Sequence, residues 1–276
     1  MNFDMGSTWS RAMELVRDNF QLLAVIAGIF LLLPTLAIYL LFPDIQSFVD
    51  PAADPEVVAE KMQEIIGPLL GIGAFAMFFQ FAGYGSMVAL MGNNRPTVGE
   101  ALKSGIKAVP SLFGVFFLFL IAYLLAAIVV AVPISIIAGL AGAPALSVIA
   151  VFLIFAIVIY LLARMSMSMP VLMLENTLNP ITAISRSFAL TGPKQWAILL
   201  FWGILFAAYM VIALLLTGVF GLIAAMAGSG TVAMLILGIF NGLTGMVVGM
   251  VVCGLAVAMH GQLAGPSNEA ISETFE

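Results

Sequence analysis

The chain has 276 residues, 63% of them hydrophobic and 8% charged, with a mean hydropathy of +1.19; soluble domains carry about 25% charged residues, so a water-soluble globule is excluded. Nine Lys and Arg against fourteen Asp and Glu give a net charge of −5, which argues against nucleic acid as a partner because phosphate binding needs clustered basic residues. The one cysteine, Cys253, lies in an apolar run, which leaves neither a disulfide framework nor a cysteine zinc site.

An ionised side chain at mid-bilayer costs about 2.5–3.5 kcal/mol, so charges mark the borders of membrane spans. The charge-free stretches are residues 19–43, 65–94, 108–163 and 195–268, of 25, 30, 56 and 74 residues. One crossing takes about 20 residues, so the first two stretches hold one helix each and the last two hold at least two.

From the N-terminus, Trp9, Met13, Val16 and Phe20 recur at helical spacing with Arg11, Glu14 and Asp18 opposite. This predicts an amphipathic helix over 7–20, lying on the membrane surface with Trp9 at headgroup depth. The next apolar run is too long for a signal peptide and lacks a small-residue cleavage site, so it is expected to remain as span 22–42, with Pro34 as a kink point. Loop 43–66 carries Asp44, Asp50, Asp54, Glu56, Glu60 and Glu64, and Asp54-Pro55-Glu56 signals a short acidic helix leading into span 67–91.

Thr97-Val98-Gly99-Glu100 reads as a capping box that opens a second interfacial helix, stopped by Pro110. Spans 111–138, with Pro133 as a kink point, and 145–163 flank the breakers Gly139-Leu140-Ala141-Gly142-Ala143-Pro144. Asn179-Pro180 opens a third interfacial helix that stops near Gly192-Pro193, and Ala227-Gly228-Ser229-Gly230 separates span 197–226 from span 232–259. The expected fold is an all-α, polytopic transmembrane helix bundle: one integral membrane domain over 1–276, six spans, three short interfacial amphipathic helices and a tail over 260–276. Interfacial helix, span, turn and span recur three times from the same side, unlike the inverted repeats of transporters.

Arg11, Arg17, Arg95, Lys103, Lys107, Arg164, Arg186 and Lys194 fall on one side of this threading, and only Lys61 on the other. The positive-inside bias then puts both termini of this multi-pass protein in the cytoplasm.

Along the last span Gly238, Gly242, Gly245 and Gly249, continued by Cys253 and Ala256, form a small-residue stripe. Such a stripe lets helix backbones approach closely; it reads as a packing seam, with a homo-oligomer face as the alternative. Gln80 and Asn241 are the only carboxamides well inside spans, and no ionisable group lies near a predicted midplane, which counts against ion-coupled transport. Met165, Met167 and Met169 alternate, but among 17 methionines they read as packing rather than soft-metal ligands. His260, the sole histidine, lies at the end of the last span and is expected to have no second histidine and no carboxylate adjacent to it. No catalytic, cofactor or metal site is therefore expected.

Arg164, Glu175 and Arg186 border the spans on the longest cytoplasmic connection. Arg164 and Glu175 lie about 16 Å apart along a helix axis and cannot pair with each other; each is expected to pair elsewhere, Glu100 and Arg186 being available. These residues read as a structural clamp, or as a lipid-headgroup site.

Arg164, Pro170, Glu175, Pro180, Ala183 and Ser187, followed by Leu190-Thr191-Gly192 and joined by Asn19-Phe20, Pro96-Thr97 and Ala101-Leu102, resemble a known pattern. It is that of bacterial six-span proteins grouped with the membrane domain of glycerophosphoryl diester phosphodiesterases. The resemblance covers nearly the whole chain through short motifs and implies an inner-membrane domain that touches lipid or envelope processes. In the fused enzymes the chemistry belongs to a separate soluble barrel with histidines and a carboxylate-bound metal. Here there is one histidine, and no polar segment approaches the about 250 residues of such a barrel. Phosphodiesterase activity is not implied. The expected function is a non-enzymatic membrane protein that interacts with lipids or scaffolds; the alternative is a transporter or channel for a small or lipid-like solute.

Overall fold

A computed structural model describes residues 3–42, 55–92, 96–143, 145–228 and 230–265. The described chain is all-α, and six of its helical runs are long and apolar enough to cross a membrane: Phe20–Leu41, Ile66–Leu90, Val98–Ala141, Val148–Leu174, Pro180–Met226 and Thr231–Ala264. Asp44, Asp50, Asp54, Arg95 and the tail beyond Gly265 lie outside the described residues, as do the side chains of Glu56, Glu60, Lys61 and Glu64.

Helix α1 (Met5–Asp18) begins two residues before the expected start, because Asp4 Oδ1 accepts the Ser7 N–H at 3.0 Å and caps the first turn. It ends before Phe20, which belongs to the span, and Asn19 folds back so that its Nδ2 donates to the Leu15 carbonyl at 2.9 Å. Trp9 and Phe20 of the expected apolar face are exposed, whereas Thr8 and Ala12 are fully buried.

The first span is built from α2 (Phe20–Ala27), a π turn (Gly28–Leu32) and α3 (Leu33–Leu41). The wide turn sits immediately before Pro34, whose missing N–H and bulky ring disfavour a regular α-turn there. The Leu33 N–H reaches back to the Gly28 carbonyl, and Thr35 Oγ1 donates to the Leu31 carbonyl at 2.8 Å.

The acidic helix leads into its span as expected, whereas the expected break at Pro110 is absent. The acidic start and the second span form one helix, α4 (Pro55–Leu90), running through Pro68. The second interfacial helix and the third span likewise form one helix, α5 (Val98–Ala141), running through Pro110 and Pro133. A proline removes one helical hydrogen bond, but a packed membrane helix tolerates that loss. Around Pro110 the packing is tight: Ala101, Ala108 and Val109 are buried, and a Cβ on Gly105 would lie 2.6 Å from the Ala82 carbonyl oxygen of α4. Tertiary contact outweighs the local breaker.

The glycine breakers act as read. Gly142 adopts φ +60°, the Ala143 N–H bonds the Ala138 carbonyl at 3.0 Å and the Gly142 N–H bonds Gly139 at 3.3 Å, a Schellman ending that only a left-handed residue permits. Helix α6 (Leu146–Met165) follows, then α7 (Ser168–Leu174), α8 (Pro180–Thr191), a 3₁₀ turn (Gly192–Lys194), α9 (Gln195–Met226) and α10 (Thr231–Ala264). Gly228 at φ +84° ends α9. The sixth span runs on to Ala264, so His260 lies inside a helix rather than in a tail.

The fold divides into two compact units: one comprises the first ten residues, Pro110–Ala207 and the chain from Ala256, the other Arg11–Val109 and Ala208–Leu255. In the second unit α10 packs against the first span and α4. A Cβ on Gly242 would lie 3.0 Å from Leu32 Cγ and 3.3 Å from the Leu32 backbone, and one on Gly249 would lie 2.7 Å from Leu31 Cδ1 and 3.0 Å from Tyr84 Cε1. Gly238 meets Leu36 and Tyr39, while nothing lies within 4 Å of a Cβ at Gly245. Outside the stripe, a Cβ on Gly254 would lie 3.0 Å from the Ala12 carbonyl oxygen of α1. The seam thus faces helices of the same chain. Elsewhere the exterior is apolar: Val129, Leu140, Leu214, Leu222 and Met226 are all at least 70% exposed, a surface that hydrocarbon covers without penalty.

Candidate functional site

The ionisable residues bordering the spans gather in the first unit, where α6, α7 and α8 meet the end of α10. Their placement begins with Pro170. Its ring has no N–H to bond the Ser166 carbonyl, so the helix of the fourth span breaks at Ser166-Met167 and restarts as α7 with the proline in its first turn. The break frees carbonyls of the last turn of α6. Ser166 Oγ donates to the Ala163 carbonyl at 2.7 Å. The Arg164 carbonyl accepts Ser187 Oγ at 2.7 Å and Thr191 Oγ1 at 3.3 Å, both from α8. Ser187 Oγ also accepts the Met167 N–H at 3.2 Å. Ser187 and Thr191 are fully buried, and these bonds close the gap in the main-chain ladder that the break creates.

The Arg164 side chain leaves this junction towards α8. Its guanidinium lies over the Phe188 ring, 4.6 Å from the centroid, and NH1 donates to Thr191 Oγ1 at 3.1 Å. Gly192 leaves room beside it: a Cβ there would lie 3.3 Å from NH1 and 3.7 Å from NH2. Nε is buried without a hydrogen-bond partner. No carboxylate of the described residues pairs with Arg164.

Glu175 caps the C-terminus of α7. Asn176 follows at φ +52°, a left-handed conformation that asparagine tolerates, and turns the chain towards Asn179. The Asn179 side chain caps α8 by accepting the N–H groups of Ile181 and Thr182 at 2.9 and 3.3 Å. This reversal sets Arg186 beside Glu175, with Nε donating to Oε2 at 3.2 Å and to Oε1 at 3.3 Å. His260 Nε2 lies 3.0 Å from Glu175 Oε1. An ionised carboxylate only accepts, so the ring donates from Nε2. His260 is the more secluded partner, its side chain 11% exposed against 30% for Glu175.

Of the sequence-derived candidates, Glu175 and Arg186 are brought together and Arg164 stands apart from both. His260 corrects the sequence reading: it does have an adjacent carboxylate, supplied from 85 residues away. Ser187, Thr191 and Phe188 are partners that the sequence reading does not assign; the four-residue spacing of Ser187 and Thr191, which puts both hydroxyls on one helix face, is the signal for that pair. Glu175 and His260 are two groups that could ligate a cation, and among the described residues no third His, Cys, Asp or Glu joins them. Met167 is buried in packing. Asn241 spends its Nδ2 on the Leu237 carbonyl of its own helix at 2.9 Å.

Comparison of the chain with protein families, with curated proteins and with solved structures finds no match. Geometry therefore carries the functional reading.

The second unit holds a polar cleft of about 550 Å³ at the junction of α1 and α2 with the end of α4, lined by Arg11, Glu14, Asp18, Asn19 and Met91 among others. Within it the ion pair Arg11 NH1 to Glu14 Oε2 at 2.6 Å is more than half exposed, and Gln80 and Asn241 are not among its described lining residues.

Proposed function

We propose that the protein is a non-enzymatic, multi-pass module of the bacterial cytoplasmic membrane that binds lipid or scaffolds other components, with both termini in the cytoplasm. The observation that carries this reading is the use of Glu175. The carboxylate at the border of the spans is engaged by Arg186 and His260, so that it joins α7, α8 and α10. A carboxylate held by two donors acts as a clamp more readily than as a general base, which needs a free lone pair facing a substrate. The basic residues on one side of the threading and the motif resemblance described above support the location and the orientation.

Mass spectrometry of the full chain, purified in mild detergent and washed, tests the proposal. Retained phospholipid without solute flux in proteoliposomes is the expected result. A retained small solute together with flux would replace this reading with the transporter reading.

A further inference from the structure

We infer that Arg164 is an oxyanion site: its guanidinium, left without a counter-ion by the fold, takes the phosphate of a phosphodiester or a phosphomonoester. The inference rests on the lipid-binding reading and names the chemistry and the residue. A guanidinium has five N–H donors, and among the described residues only one hydrogen bond uses them, NH1 to Thr191. The cation is placed rather than neutralised: Phe188 supports its face at 4.6 Å, Thr191 fixes one corner, and Gly192 keeps the space beside NH1 and NH2 clear of a side chain. A structural arginine at such a place is normally paired, because an uncompensated charge beside apolar segments is costly.

Glu175, the carboxylate of the same connection, is already held by Arg186 and His260, which leaves Arg164 free for an external anion. Its position fits the ligand. Arg164 ends the charge-free stretch 108–163, the depth at which lipid phosphates lie, and it is partly exposed. A planar fork of donors suits a phosphate through two parallel hydrogen bonds, a match that lysine does not reproduce.

The test uses the full chain in nanodiscs or mixed micelles, with three probes: phosphatidylglycerol, phosphatidylcholine as the zwitterionic control, and inorganic phosphate. The wild type should bind phosphatidylglycerol over phosphatidylcholine, and Arg164→Gln should weaken that binding at least tenfold, with Arg164→Lys between the two. Protection by inorganic phosphate at millimolar concentration would assign the site to a soluble phosphoester, and protection by phosphatidylglycerol alone to a lipid headgroup. Gly192→Ala keeps the charge while crowding NH1, and should also weaken binding; it decides the matter should Arg164→Gln fail to fold. Unchanged phosphatidylglycerol binding in Arg164→Gln, or in Gly192→Ala where it stands in, would overturn the site and leave lipid binding intact. A wild type that binds neither phospholipid nor phosphate would overturn the lipid reading itself.

Discussion

His260 and Glu175 meet at 3.0 Å although 85 residues separate them, and their contact ties the end of the last helix to the cap of α7. Arg186 completes the cluster from α8. Replacing one carboxylate oxygen by an amide NH2 removes the charge and leaves Arg186 and His260 a single acceptor between them. Glu175→Gln should lower stability by about 1–2 kcal/mol, the sum of a partly exposed ion pair and a more secluded hydrogen bond. His260→Ala in the Glu175→Gln background should cost less than in the wild type, as thermal melting of the double-mutant cycle in detergent would measure. Equal losses in both backgrounds would mean that the two residues are not coupled.

The glycine stripe of α10 separates into positions that touch a neighbour and one that does not. Gly242→Leu should destabilise by about 1–3 kcal/mol, because the Leu32 backbone must move aside. Gly245→Leu should cost little, since its side of the helix is open. Melting the two variants side by side checks this, and equal melting temperatures would rule out the packing geometry described for Leu32.

Glu100 caps the first turn of α5, ahead of the apolar stretch that begins at Ala108. The Thr97 N–H donates to Glu100 Oε2 at 2.8 Å and the Thr97 hydroxyl does so at 2.8 Å. The backbone bond, followed by the side-chain bond, holds the carboxyl below its ordinary value of 4.5. A carboxyl whose value falls on folding adds stability above its unfolded value, and that contribution is lost as the pH drops towards the folded one. Amide exchange in the first turn of α5 should therefore accelerate as the pH falls below about 4.5, relative to the intrinsic chemical rate. In Glu100→Gln it should follow the intrinsic rate alone. A variant that keeps the same excess acceleration would show that the cap is not its source.

Orientation can be read with single cysteines on a Cys253→Ala background, the native thiol being fully buried. Ser47→Cys should react with an impermeant maleimide on intact cells, whereas Ser104→Cys and Ser185→Cys, both exposed, should react only after permeabilisation. Labelling of Ser47→Cys and Ser104→Cys from the same side would contradict the proposed threading.

What the sequence makes legible is chemistry that a few neighbouring residues settle. Asn179-Pro180 caps and starts α8, and Gly142 ends α5, because side-chain oxygens and left-handed glycines act within one turn. Pro110 misleads because its effect depends on what packs around it; Gly105 lies against α4, and α5 continues through the breaker. The stripe on α10 is visible as spacing, but which glycines touch a partner depends on Leu31, Leu32 and Leu36 from a distant segment. Glu175 and Arg186 are visible as charges at a border. Their bond, and the arrival of His260, follow from the α7–α8 reversal at Asn176 and from the unbroken run of α10, neither of which is encoded next to the residues it unites.

The π turn at Gly28–Leu32 has a consequence for evolution by insertion and deletion. A five-residue step amounts to one amino acid added to an α-helix, and each residue corresponds to about 100° of rotation. Losing one residue here would let the helix revert to its ordinary pitch with Leu36 and Tyr39 still facing Gly238, whereas losing one from the regular turns of α2 or α3 would rotate everything beyond it by about 100°. Among descendants of this chain, single-residue deletions in the first span should therefore fall within Gly28–Leu32 rather than on either side of it.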